Sequence, residues 1–268
     1  MDPKMTFNPN LPRYALGSYD GGVLIKFFKT KEHRDYFING TLYMRPQTDF
    51  PDTEMGDGRF DVMEGADIVV FPRNQETFPD VKYEVENGNV VVKVYEYKER
   101  PENYRDNQAF ISYPLVNQRR NLFCMYTLWT DSKGCSFMPI QKDKLESFGQ
   151  YGAVIADFYE FIKRVGRSLN QESSVKKAEC GFVNYLDADE MKNVMDANPF
   201  YKEAEKYRNQ NEFRILAETD NLDLLELKVI DGLSDIAIPI RLDDFVSSVQ
   251  SNNGALTFKA DSENEEDK

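Results

Sequence analysis

The chain has 268 residues, 46 of them acidic and 33 basic, for a formal net charge of −13, which argues against affinity gained mainly by neutralising phosphates. Hydrophobic residues make up 41% and aromatics 13%, enough for a sizeable folded core, and no apolar run approaches the roughly 20 residues that span a bilayer. The single histidine, His33, excludes multi-histidine metal sites and leaves one residue for any histidine-dependent catalysis.

Residues 1–21 are rich in Pro, Asn, Gly and Tyr and read as an extended arm without the features of a signal peptide. Val23–Phe28 reads as a strand, Thr30–Asn39 as a short helix stopped by Gly40, and Thr41–Arg45 as a second strand. His33 lies one turn before Phe37, which predicts a half-buried packing role. The loop from Pro46 to Gly65 carries Asp49, Asp52, Glu54, Asp57, Asp61 and Glu64, with Arg59 among them. These acids lack the spacing of a calcium loop, leaving magnesium binding as the alternative to a solvated acidic turn.

Ala66–Phe71 reads as a strand. Val81–Tyr97 reads as a hairpin turning at Asn87-Gly88, within an insertion at 81–107. Strands are expected at Ala109–Leu115, Leu122–Trp129, Ala153–Ala156 and Gly181–Tyr185. Asp157 and Glu160 form a capping pair ahead of a helix whose stripe is Phe158, Phe161, Ile162, Val165 and Leu169. Ala188–Met195 reads as a short helix, and strands at Leu225–Val229 and Ile236–Leu242 close a domain over 22–250. Pro239 marks the last strand as an edge or bulge. Residues 251–268 form an acidic tail that reads as disordered.

Cys124, Cys135 and Cys180 are odd in number and lack metal spacing, which fits reduced thiols in the cytoplasm. Arg119, Arg120, Lys163, Arg164, Arg167, Lys176 and Lys177 would form a basic patch if the fold gathered them; otherwise they are ordinary solvated positions. The tally is α+β, with largely antiparallel sheets and a few helices.

The stretch Asn198–Glu218 carries the most chemistry. Asn198 as N-cap, Pro199 at the first helical position, and Phe200, Ala204 and Tyr207 at helical spacing predict a short helix. The period then changes to two, with Phe213, Ile215 and Ala217 facing one way and Gln210, Glu212 and Arg214 the other. This strand would present Gln-x-Glu-x-Arg to a cleft; the plain alternative is a strand with a wet face.

In this order the elements resemble a bacterial group of ADP-ribosyltransferase-like proteins. The likeness rests on Ile38-Asn-Gly leading into Thr41–Arg45 and Asp49-Phe50, on Gly58–Gly65, on Leu128–Phe137 with its Trp and Lys-Gly turn, and on Phe200 with Tyr207–Ile215. It covers roughly residues 22–218 and implies an ADP-ribosyltransferase-like fold and NAD as substrate. It also implies a macromolecular acceptor, protein or nucleic acid, and a role as a toxin or anti-phage effector; whether a neutralising antitoxin exists stays open. Glu212 falls at the position of the catalytic carboxylate, where a fixed negative charge would stabilise the cation forming on the ribose. Gln210 would orient the acceptor. Arg45 or Arg59 would neutralise the pyrophosphate, and Tyr43 would stack on nicotinamide. The first strand offers only Lys26 where such families often place a His or Arg. Two alternatives follow: a non-catalytic acidic binding or inhibitor protein on a degenerate transferase-like fold, or a metal-dependent nuclease using the 49–64 acids.

Overall fold

The structure, a computed structural model, describes residues 5–7, 21–47, 66–70, 77–86, 89–99, 110–114, 120–130, 139–187, 199–220, 223–252 and 255–261. In chain order the first elements are β1 (Met5–Phe7), β2 (Gly21–Phe28), α1 (Lys31–Ile38) and β3 (Thr41–Pro46). There follow β4 (Ala66–Val70), β5 (Thr77–Glu86), β6 (Asn89–Glu99), β7 (Phe110–Pro114) and β8 (Arg120–Thr130). The middle holds α2 (Lys142–Leu145), β9 (Tyr151–Ile155), α3 (Phe158–Gln171), β10 (Val175–Phe182) and β11 (Asn184–Leu186). The last third contributes β12 (Tyr201–Glu203), α4 (Ala204–Tyr207), β13 (Glu212–Thr219), β14 (Leu225–Lys228) and β15 (Ala237–Arg241). It closes with α5 (Leu242–Ser248), β16 (Gln250–Asn252) and β17 (Ala255–Thr257).

Nine strands form one sheet in the order β1-β10-β13-β8-β2-β9-β15, with β3 pairing β8 and β14. Except for β1 on β10, its pairings are antiparallel. Alternation along each strand builds two cores. Leu24, Met44, Phe123, Met125, Phe213 and Ile215 face one way, and α3 covers them with Phe161, Val165 and Leu169. Phe37 of α1 joins that core, stacked on Phe123 at 5.8 Å. On the other face Ile25, Phe27, Tyr126, Leu128, Val154 and Ile240 pack with Leu145 of α2 and with Leu242 and Phe245 of α5. A third small core of Val183, Tyr185, Ala204 and Tyr207 sits where β11 pairs β12. It closes over the start of β13.

The capping rules hold at α1 and α3. Thr30 accepts from the His33 N–H ahead of α1, and Asp157 accepts from the Glu160 N–H ahead of α3. Gly40, at φ 93°, makes the reversal into β3 that a side chain would resist. The expected hairpin is present, with Glu86 opposite Asn89, and Pro239 sits on β15, which among the described residues pairs only β9, at the sheet's edge.

Several expectations are corrected. The helix expected from Pro199 is instead a turn at 199–200, then β12, one turn of α4 and a 3-10 turn at Arg208–Gln210. Phe200, Ala204 and Tyr207 are nevertheless all buried. The strand expected from Gly181 begins at Val175, because the exposed pair Lys176-Lys177 hides its buried alternation. Leu242 starts α5 rather than ending β15, and Leu242, Phe245, Val246 and Val249 form its apolar stripe. His33, expected to be half-buried, is exposed.

Of the tail, residues 251–252 and 255–261 are described. Here β16 pairs β17, Phe258 packs on Phe245 at 5.4 Å, and Asp261 bonds both the Pro239 carbonyl and buried Arg34. The 49–64 acids, Arg59, Cys135 and the helix expected at Ala188–Met195 lie outside the described residues. Among the described residues no helix is long and apolar enough to cross a membrane.

Candidate functional site

Glu212 opens β13 because of what precedes it. The 3-10 turn ends at Asn211, whose φ of 44° and ψ of 51° put it in the left-handed region that Asn tolerates. That kink turns the chain from a helical turn into an extended strand within one residue. The Asn211 carbonyl accepts from the Thr127 N–H at 2.7 Å, anchoring the kink to β8. The Glu212 N–H donates to Tyr185 Oη at 2.9 Å, and in the ladder Glu212 stands opposite Tyr126, Arg214 opposite Cys124.

The Glu212 carboxylate is 13% exposed and sits between two cations that are nearly sealed from solvent. Lys202 Nζ lies 2.9 Å from Oε2, and Arg214 Nη2 donates to the same oxygen at 3.0 Å. Lys202 also donates to Gln210 Oε1 at 2.9 Å and lies 5.1 Å from the centre of the Tyr207 ring. Arg214 Nη1 donates to the Pro199 carbonyl. Burial alone would push the Glu212 carboxyl up. Arg214 and Lys202, with hydrogen bonds from Lys202 and Cys124, overcome it and hold the group down to about 2. Glu212 is therefore an ionised, rigidly held carboxylate.

Gln210 and Glu212 meet as the alternation predicts, though by another route. Gln210 is on the 3-10 turn, and Lys202 from β12 joins the two side chains. Neither the wet strand nor an open cleft describes this face, because β11, β12 and α4 cover it. Beside it is a cleft of about 490 Å³ lined by Tyr126, Leu145, Asn211, Lys144, Arg208 and Glu205 among others, but not by Glu212 itself. Burial raises the Tyr126 hydroxyl above its usual range, against a hydrogen bond with Asn211 that lowers it.

Of the cofactor-gripping residues expected from sequence, Lys26, Tyr43 and Arg45 are not gathered here. Lys26 is corrected to the opposite face of the sheet: it alternates with Leu24 and Phe28, lies 4.5 Å over the Phe123 ring, and donates to the Cys124 carbonyl at 2.6 Å. The carbonyl is reachable because of a split in the sheet. β8 pairs β2 as far as Tyr126 and β3 only from Leu122, and Lys26 reaches the carbonyl between them. Tyr43 and Arg45 are exposed on β3, on the same sheet face as Glu212. Arg45 pairs with Leu122 while Glu212 pairs with Tyr126, four residues along β8 or roughly 13 Å. Arg59 lies outside the described residues.

Of the basic residues considered as a patch, Arg119 lies outside the described residues and those of α3 and β10 are ion-paired. Arg164 pairs with Glu160 and Asp235, Arg167 with Asp231, Lys176 with Asp220 and Lys177 with Glu179. Cys124 and Cys180 are free thiols, and burial pushes Cys180 up to about 12, leaving it unreactive. Among the described residues no group of three or more His, Cys, Asp or Glu side chains is placed to hold a metal ion.

Sequence reasoning missed Lys202, Tyr185, Tyr126, Lys144 and Arg208. Only the fold brings these residues together. Asn211 could have been found, since an Asn between a helical turn and a strand is a common left-handed cap. No family model matches the chain, and comparison with curated proteins and with solved structures gave no match.

Proposed function

We propose that the chain transfers ADP-ribose from NAD to a macromolecular acceptor, protein or nucleic acid, on an ADP-ribosyltransferase-like fold, with Glu212 as the catalytic carboxylate and Gln210 beside it. The observation that carries this reading is the ionised state of Glu212, fixed at the first residue of a central strand and linked to Gln210 through Lys202. Cleavage of the bond to nicotinamide builds positive charge on the ribose, which a preorganised carboxylate stabilises. For Glu212 to serve, Lys202 must swing from Oε2 when the substrate enters. The Lys202 ammonium would then be available to the pyrophosphate. Such an effector fits a role as an intracellular toxin or anti-phage factor, with a neutralising partner as its counterpart.

The test is incubation of the purified chain with labelled NAD and a cell lysate. We expect label in one class of macromolecule and nicotinamide release, both lost in Glu212→Gln. Glu212→Gln is preferred to Glu212→Ala because the amide keeps a hydrogen-bond acceptor for Lys202 and Arg214. Absence of NAD turnover by the unaltered chain rejects the transferase reading. Unchanged turnover in a folded Glu212→Gln variant rejects Glu212.

One observation favours a second reading, a non-catalytic binding protein. The charge of Glu212 is already cancelled by two buried cations, and its side chain does not line the cleft. On that reading the network is a structural latch, and ligand binding would proceed without NAD consumption.

A further inference from the structure

We infer that the cleft over Tyr126 is a binding site for a small zwitterion, an α-amino acid with an apolar or aromatic side chain. The inference goes beyond the transferase reading, which acts through Glu212, a side chain that does not line this cleft. The volume, about 490 Å³, falls within the roughly 300–1,000 Å³ of small-molecule sites, which join an apolar lining to a few placed polar groups. Tyr126, Leu145 and Ala204 are buried and make that lining. Lys144 from α2 and Glu205 from α4 bring opposite charges to the same cleft, and both are exposed.

Neither charge is committed. Other lysines nearby are: Lys142 lies between Glu146 and Asp243, and Lys259 is on Asp244. Among the described residues Lys144 and Glu205 make no ion pair, either with a neighbour or with each other across the cleft they share. Arg208 also lines the cleft, but it is engaged in an interaction of its own. Counted without it, the described lining carries one cation and one anion, held apart and with no net charge.

A ligand that fills the cleft takes water from both charges and must answer each of them. An anion answers Lys144 and meets Glu205 as a like charge. A cation does the reverse, and a neutral apolar molecule answers neither. An α-amino acid answers both: its carboxylate accepts from Lys144 and its ammonium donates to Glu205, two charge-assisted hydrogen bonds. The amides of Gln141 and Asn209 are further donors for the carboxylate. The side chain then lies over Tyr126 and Leu145, and a larger apolar one removes more area from water.

The experiment is calorimetric titration of the full chain, without NAD, using phenylalanine, glycine, N-acetylphenylalanine, phenylalanine amide and the dipeptide glycylphenylalanine. The acetyl compound keeps only the negative charge and the amide only the positive one. The titrations are repeated on Lys144→Gln and Glu205→Gln, which should melt like the parent because both sites are exposed. We expect phenylalanine to bind the parent and each variant to lose about tenfold or more in affinity. The losses should be selective: Lys144→Gln leaves the affinity for the amide unchanged, and Glu205→Gln leaves that for N-acetylphenylalanine unchanged. A dipeptide tighter than phenylalanine supports the zwitterion and identifies a short peptide as its source. The inference is overturned if neither phenylalanine nor the dipeptide binds up to about 10 mM, or if phenylalanine keeps its affinity in either variant. It is also overturned if glycine or either blocked analogue binds as tightly as phenylalanine. Because Glu212→Gln should bind phenylalanine like the parent whatever becomes of NAD turnover, this reading and the transferase reading fail separately.

Discussion

Lys202 shows how one side chain can decide what a neighbourhood does. It is nearly fully buried and bridges Gln210 and Glu212, so its charge and that of Arg214 are tolerable only while the carboxylate between them stays ionised. Removing Lys202 takes away the buried donor that Gln210 and Glu212 share while Arg214 still answers the carboxylate, so Lys202→Ala should destabilise by about 2 kcal/mol, read as a lower denaturant midpoint with an unchanged slope. The same network sets an acid limit. The Glu212 carboxyl is held down to about 2, below its value in the unfolded chain, so its contribution is fully present above the ordinary carboxylate range. It is lost as the pH falls from about 5 toward 2. A stability profile over that window should flatten in Glu212→Gln; a profile as steep as the parent's would show that other groups carry the acid sensitivity.

At the scale of elements, local signals were legible and remote ones were not. Thr30 and Asp157 announce their helices because a capping side chain acts within three residues, and the stripe on α3 needs no knowledge of its partner. Phe213, Ile215 and Ala217 were assignable to one face from spacing alone. Asn198 to Tyr207 was misread as a helix because helical spacing cannot reveal that 201–203 finds a parallel partner in β11. For the same reason the sequence named Glu212 and Gln210 but not Lys202, whose place depends on that pairing. Lys26 was named only as the first strand's one candidate grip, and its contact with the Cys124 carbonyl was not legible because the split between β2 and β3 on β8 has no sequence signature. Gly149 marks another element boundary that only the fold explains. At φ 128° it leads into β9, and a Cβ there would lie 2.0 Å from the Phe28 carbonyl oxygen. Since that obstacle is backbone, Gly149→Ala should force β2 and β9 apart and cost more than about 3 kcal/mol. A melting temperature within a few degrees of the parent's would contradict this.

For the whole molecule, the order of strands matters more than their number. The central β13 and β8 are covered on both faces, so the candidate site is held by the most protected part of the sheet. The periphery is held by terminal segments instead: β15 and α5 by the 255–261 segment through Phe258, Lys259 and Asp261. At the other margin β10 is closed off by three residues, Met5 to Phe7, with the Met5 methyl seated against Gly166 of α3. So short a strip is inexpensive to peel away. A chain clipped after residue 7 would bare a row of amides and carbonyls along Ala178–Cys180, and two such molecules could zip together through them. The clipped protein should therefore gain mass with concentration in sedimentation runs, while the intact one should not.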